Sequence, residues 1–134
     1  MYLQAAIDAA QAGATIMAEG SVLADTGEVT VNKQLTILGA NEGLAGDDSG
    51  RGTESVLNTG ATLNITAAGV IIDGMKFLGG GSVLGSSAAV YVGADDVTIT
   101  NSVVEGDGSA YAGITTPYGG NVTGLVISGN LFTN

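Results

Sequence analysis

Leu35-Thr36-Ile37-Leu38-Gly39, Val70-Ile71-Ile72-Asp73-Gly74, Val97-Thr98-Ile99-Thr100-Asn101 and Leu125-Val126-Ile127-Ser128-Gly129 are four renderings of one pattern. The central residues are Ile37, Ile72, Ile99 and Ile127, so a longer first step is followed by two of nearly equal length. Two residues after each isoleucine comes Gly39, Gly74, Asn101 or Gly129. These residue types accept a left-handed backbone at little cost, which predicts the same sharp bend in every repeat. A near-constant period of this size is the signature of a repeat architecture.

Each repeat extends in both directions. Before the pattern lie alternating segments, Val29-Thr30-Val31, Leu63-Asn64-Ile65, Val90-Tyr91-Val92 and Ala112-Gly113-Ile114. After the bend come Met75-Lys76-Phe77, Ser102-Val103-Val104 and Asn130-Leu131-Phe132. Three short strands per repeat describe a coil, and successive coils stack about 4.8 Å apart through strand pairing. Equivalent residues then form interior ladders: Ile37, Ile72, Ile99 and Ile127 in one, Leu35, Val70, Val97 and Leu125 in another. Ahead of the repeat, Leu3, Ala6, Ile7 and Ala10 follow helical spacing over residues 2 to 12, with Gln4, Asp8 and Gln11 on the opposite side and Gly13 placed as a C-cap. So short an amphipathic helix must lie on something to persist.

The order of helix, Ala14-Thr15-Ile16-Met17-Ala18-Glu19-Gly20, Leu35-Thr36-Ile37-Leu38-Gly39-Ala40-Asn41 and Val70-Ile71-Ile72-Asp73-Gly74 resembles the N-terminal part of the pectate-lyase-like superfamily. The resemblance implies an all-β fold, a right-handed single-stranded parallel β-helix with an N-terminal amphipathic capping helix. It places the cap at 1–13 and the coils at 14–134. Because Leu131-Phe132-Thr133-Asn134 ends within a third strand, the expectation is an excised piece of a longer β-helix, or an open end that stacks on another chain. The superfamily includes lyases, hydrolases, epimerases, adhesins and inert stalks, so it specifies fold more than function.

Composition narrows the functions. Across 134 residues there are 13 acidic and 3 basic side chains, a net charge of −10, which sets nucleic acid and anionic membranes aside as partners. A hydrophobic share of 45% argues against a disordered acidic tail. The absence of Cys and His removes disulfides, thiolate zinc sites and the commonest general base. No apolar run is long enough to insert in a membrane, and Met1-Tyr2-Leu3-Gln4-Ala5 has neither part of a signal peptide. Scarce lysine, the absence of cysteine and a low isoelectric point resemble bacterial secreted proteins, extracellular or at the cell surface.

The chemistry that the resemblance implies finds few carriers here. Pectate and pectin lyases use an arginine base with calcium-binding carboxylates; Arg51 is the single arginine, in the early loop 41–54. Of the polygalacturonase-like segments only the Asp-Asp pair has a counterpart, Asp95-Asp96. Asp95-Asp96 and Asp47-Asp48 are candidate calcium carboxylates, set against a plainer reading as solvated turns. Tyr91, Tyr111 and Tyr118 are candidate glycan contacts, since aromatics over a groove stack on sugars; the plainer reading is packing. Asn64-Ile65-Thr66 and Asn121-Val122-Thr123 match glycosylation sequons, a tripeptide common by chance.

Three functions are set side by side. The first is a structural or interaction module, carbohydrate-binding in one form and self-associating through the second-sheet row Thr36, Ile71, Thr98, Val126 or through the open last coil. The second is the N-terminal part of a polysaccharide lyase or hydrolase whose catalytic residues lie beyond Asn134. The third, ice binding, needs a flat Thr-rich face, and only Thr36 and Thr98 alternate in that row.

Overall fold

The computed structural model describes residues 1–58, 60–79, 82–83, 86–106 and 112–134. The chain starts with α1 (Leu3–Ala9) and β1 (Thr15–Met17), then visits three parallel sheets in rotation. The first sheet takes β2 (Glu28–Val31), β5 (Thr62–Ile65), β9 (Ser86–Val92) and β12 (Ala112–Thr115). The second takes β1, β3 (Thr36–Leu38), β6 (Ile71–Asp73), β10 (Thr98–Thr100) and β13 (Val126–Ser128). The third takes β4 (Ser55–Leu57), β7 (Met75–Leu78), β11 (Val103–Glu105) and β14 (Leu131–Thr133). A two-residue strand, β8 (Ser82–Val83), pairs antiparallel with the start of β9. The result is a mostly β stack of coils compatible with a β-helix. We number the coils by their second-sheet strand, so β1 lies in the first coil and β13 in the fifth.

The isoleucine ladder forms in the expected register. Ile37 pairs with Ile72, Ile72 with Ile99, and Ile99 with Ile127. Ile16 extends it by one coil, opposite Ile37. Ile37, Ile72 and Ile99 are wholly buried, as are Val70 and Val97 in the neighbouring ladder. Strand length follows from this geometry: alternation of one inward side chain between two outward ones fills a three-residue strand, and the corner follows at once. In the third sheet, Leu57, Phe77, Val104 and Phe132 stack in the same way. The polar residues Ser55 and Ser102 at its corner are buried because each hydroxyl bonds the backbone: Ser55 Oγ accepts from Ala40 N at 2.8 Å, and Ser102 Oγ donates to Thr100 O at 2.9 Å.

The helix is shorter than the spacing predicts. It stops at Ala9, and Gly13 (φ +85°) turns the chain into β1, its N–H donating to Gln34 O at 2.6 Å. Both helix ends are completed from elsewhere. Asp25, only 6% exposed, accepts from Leu3 N at 2.6 Å and Gln4 N at 2.9 Å, taking up two free N-terminal donors. Lys33 Nζ donates to Ala10 O at 2.8 Å. Gln4, which helical spacing places on the outer side, instead covers the free edge of the first sheet: its amide accepts from Thr30 N and donates to Thr30 O, as a neighbouring strand would. Leu3 and Ile7 close the top of the core.

Candidate functional site

The corners position every charged candidate. At the bend after the second sheet, Gly74, Asn101 and Gly129 have φ of +74°, +51° and +64°, as their spacing predicts. Gly39 does not share that backbone; glycine is needed there because a Cβ would run into the Gly74 carbonyl of the next coil. A second left-handed column lies just before the second sheet, at Gly69 (+73°), Asp96 (+55°) and Gly124 (+67°). It keeps the same spacing as Ile72, Ile99 and Ile127 and was visible in the sequence, but an aspartate between two glycines hid it.

That column explains Asp95-Asp96. Asp96 occupies a position whose backbone suits Gly, Asn or Asp. Asp95 Oδ1 accepts from Thr123 N at 2.7 Å, and its carbonyl accepts from Gly69 N at 3.1 Å, so this residue touches the coil on either side. Asp48 Oδ1 accepts from Gly50 N at 2.6 Å, a local turn contact, and Asp47 is exposed. Among the described residues no three His, Cys, Asp or Glu side chains converge on a point that could hold a metal ion. A calcium ion at either pair would have to draw most of its oxygens from backbone and water.

Arg51 is a heavily engaged side chain. Its Nε and Nη2 donate to the two carboxylate oxygens of Glu54, both at 2.8 Å. Its Nη1 donates to Leu44 O at 2.6 Å and to Asn101 O at 2.7 Å. The side chain is 7% exposed. Burial by itself would raise the Glu54 carboxyl; hydrogen bonds from Arg51 and Asn41, with the positive charges of Arg51 and Lys76, outweigh it and hold the group below its ordinary value. Every nitrogen of the guanidinium thus donates to a carboxylate or a carbonyl oxygen. The loop that carries it lies down across the coils.

The tyrosines separate. Tyr91 does alternate with inward Val90 and Val92, in a row with Asn64 and Thr115, but its ring is covered: the residue is 8% exposed. A Cβ added at Gly93 would sit 3.6 Å from the ring, so the ring leans over that glycine. The expected exposed aromatic is therefore absent at this position. Tyr118 is fully exposed, ahead of Gly119 (φ +71°) in a turn closed by Gly120 N donating to Pro117 O. Tyr111 lies outside the described residues. Of the two sequons, Asn64 is 8% exposed with Nδ2 donating to Glu28 Oε1 at 2.8 Å, whereas Asn121 is exposed.

One cavity has no counterpart among the sequence expectations. About 290 Å³ opens between the third and first sheets near the last coils, lined among others by Val104, Glu105, Gly113 and Phe132. Its signal would have been Gly113, where a side chain would press on Val104 and Phe132. Glu105 in its wall pairs with Lys76 at 2.6 Å. Among the described residues no helix is long and apolar enough to cross a membrane. No family model, no curated protein and no solved structure matches the chain.

Proposed function

We propose that the chain is a structural or interaction segment of a right-handed parallel β-helix of the pectate-lyase-like kind, working in a bacterial secreted or cell-surface protein. The handedness rests on a general rule: parallel strands joined by a crossover are connected right-handedly in nearly all cases. The observation that carries the scaffold reading is the occupation of the reactive groups. Asp95 and Asp73, side chains suited to acid–base or metal chemistry, hydrogen-bond the coils next to their own, and Arg51 is tied to Glu54 in its own loop and to Asn101 two coils away. Moving a group held in this way costs stability, which opposes a role that requires it to change partners.

Glycan contact is the interaction that suits this scaffold, through the exposed ring of Tyr118. With a net charge of −10, neutral glycans are favoured over acidic ones unless calcium bridges the two. The test is retention on neutral and acidic polysaccharides, with and without Ca²⁺, alongside assay of the same mixtures for cleavage products. Retention that falls in Tyr118→Ala, with no products released, is the expected result. Products whose release is lost in Asp95→Asn or Asp96→Asn would overturn the scaffold reading in favour of a lyase or hydrolase.

A further inference from the structure

In a stack of coils each repeat touches only its neighbours, so the terminal coil is the first to fray. The fifth coil is exposed to this: Val126, Ile127 and Phe132 are 47%, 44% and 52% accessible. Residues 41–54, the long insertion between β3 and β4 of the second coil, depart from nearest-neighbour contact. Gly43 N donates to Asp73 Oδ1 in the third coil at 2.9 Å. Arg51 Nη1 donates to Asn101 O in the fourth at 2.7 Å. Gly46 N donates to Gly129 O in the fifth, also at 2.7 Å.

The strap is built to hold this shape. Asn41, 3% exposed, accepts from Gly52 N at 2.7 Å and donates to Glu54 Oε2 at 2.9 Å, closing the base of the loop. Arg51 and Glu54 form a two-pronged ion pair across it. Gly46 lies so close to Ser102 O and Leu131 N that any side chain would collide with the backbone of the two last coils. Backbone contact of that kind leaves no room for the strap to slide.

We propose that segment 41–54 is a lock that couples the second coil directly to the third, fourth and fifth, so that the stack opens as one unit instead of unravelling from its last coil. The strap crosses the corner between the second and third sheets, and its contacts with Asp73 and Asn101 join parts of the chain that are distant in sequence. Its closure therefore makes the fate of the fifth coil depend on the second.

Native-state hydrogen exchange on the full chain tests this at the amides of Val126 and Leu131, which bond Val97 O and Ser102 O across coils. In the unaltered chain these amides should exchange only with the opening that also exposes Ile37 and Ile72. Gly46→Val removes the seat on the fifth coil, and Arg51→Lys keeps the charge but loses the fork and its reach to Asn101. Each should speed exchange at Val126 and Leu131 at least about tenfold while Ile37 changes far less. Lys76→Met, which breaks a pair between adjacent coils, should leave that contrast unchanged. Should Gly46→Val not fold, Arg51→Lys carries the test. Fast exchange of the fifth coil in the unaltered chain would overturn the proposal. So would an equal acceleration in all coils, or none, in the variants.

Discussion

Shortening Ile72 to alanine removes most of a side chain from the middle of a ladder whose members above and below, Ile37 and Ile99, are as fully buried as Ile72 itself. Parallel strands about 4.8 Å apart cannot close on the space, because their spacing is set by backbone hydrogen bonds. Such a deletion falls in the range of about 2–5 kcal/mol, the lost transfer energy plus the cavity left behind. Ile127 makes the same substitution informative at the other end. It is 44% exposed, so Ile127→Ala should cost roughly half as much, about 1–2 kcal/mol. Thr98, on the outward row beside Ile99, should cost less than about 1 kcal/mol when changed to alanine. Urea unfolding followed by circular dichroism would give all three from midpoints, provided the slopes agree with the unaltered chain. Equal losses at Ile72 and Ile127, or at Thr98 and Ile72, would refute the alternation and the gradient of burial together.

Further outcomes rest on particular contacts. Asp25→Ala leaves the N–H groups of Leu3 and Gln4 without their acceptor and should lower stability by about 1–2 kcal/mol in a thermal melt, with Asp25→Asn recovering part of it. Glu54 titrates below its ordinary value of 4.5 in the folded chain, so its contribution is fully present above that pH and is lost as pH falls through the folded value. Followed from neutral pH down through the carboxylate range, the urea midpoint should therefore decline less steeply in Glu54→Gln than in the unaltered chain, and parallel curves would contradict the role given to Arg51. The outward second-sheet row Thr36, Ile71, Thr98 and Val126 carries no charge, while the whole chain carries −10. Self-association through it should rise with ionic strength in sedimentation velocity, as repulsion is screened, and a monomer at every salt concentration would show that face to be inert.

The ladders were legible because Ile-x-Gly/Asn recurs at nearly constant spacing, and a one-residue slip would turn every inward side chain out. The second coil was harder to read. Its strap delays the third-sheet strand to Ser55–Leu57, so neither β4 nor the bridge from Val22 to Val56 was anticipated. Asp25 and Gln4 were missed for a different reason. Each acts on a partner far along the chain, Asp25 on Leu3 and Gln4 on Thr30, and nothing local in their neighbours marks that role. Tyr91 shows the limit of alternation: period two assigns a side to the ring but does not say whether other chain covers that side. The carboxylate pairs were read as turn residues or calcium ligands, and the missing clue was the column Gly69, Asp96, Gly124, which ties Asp96 to a backbone requirement.

The stacking itself can be measured without interference, because the chain has no cysteine. Thr15 and Val126 lie near opposite ends of the sequence, yet pairing runs from Thr15 to Thr36, Ile71, Thr98 and Val126 through successive strands. Four steps of about 4.8 Å place their backbones about 19 Å apart. Spin labels on Thr15→Cys and Val126→Cys, read by pulsed dipolar spectroscopy, should give one narrow distribution near that separation, widened by the reach of the labels. A broad distribution, or a narrow one centred beyond about 35 Å, would contradict a continuous stack of parallel coils in this register.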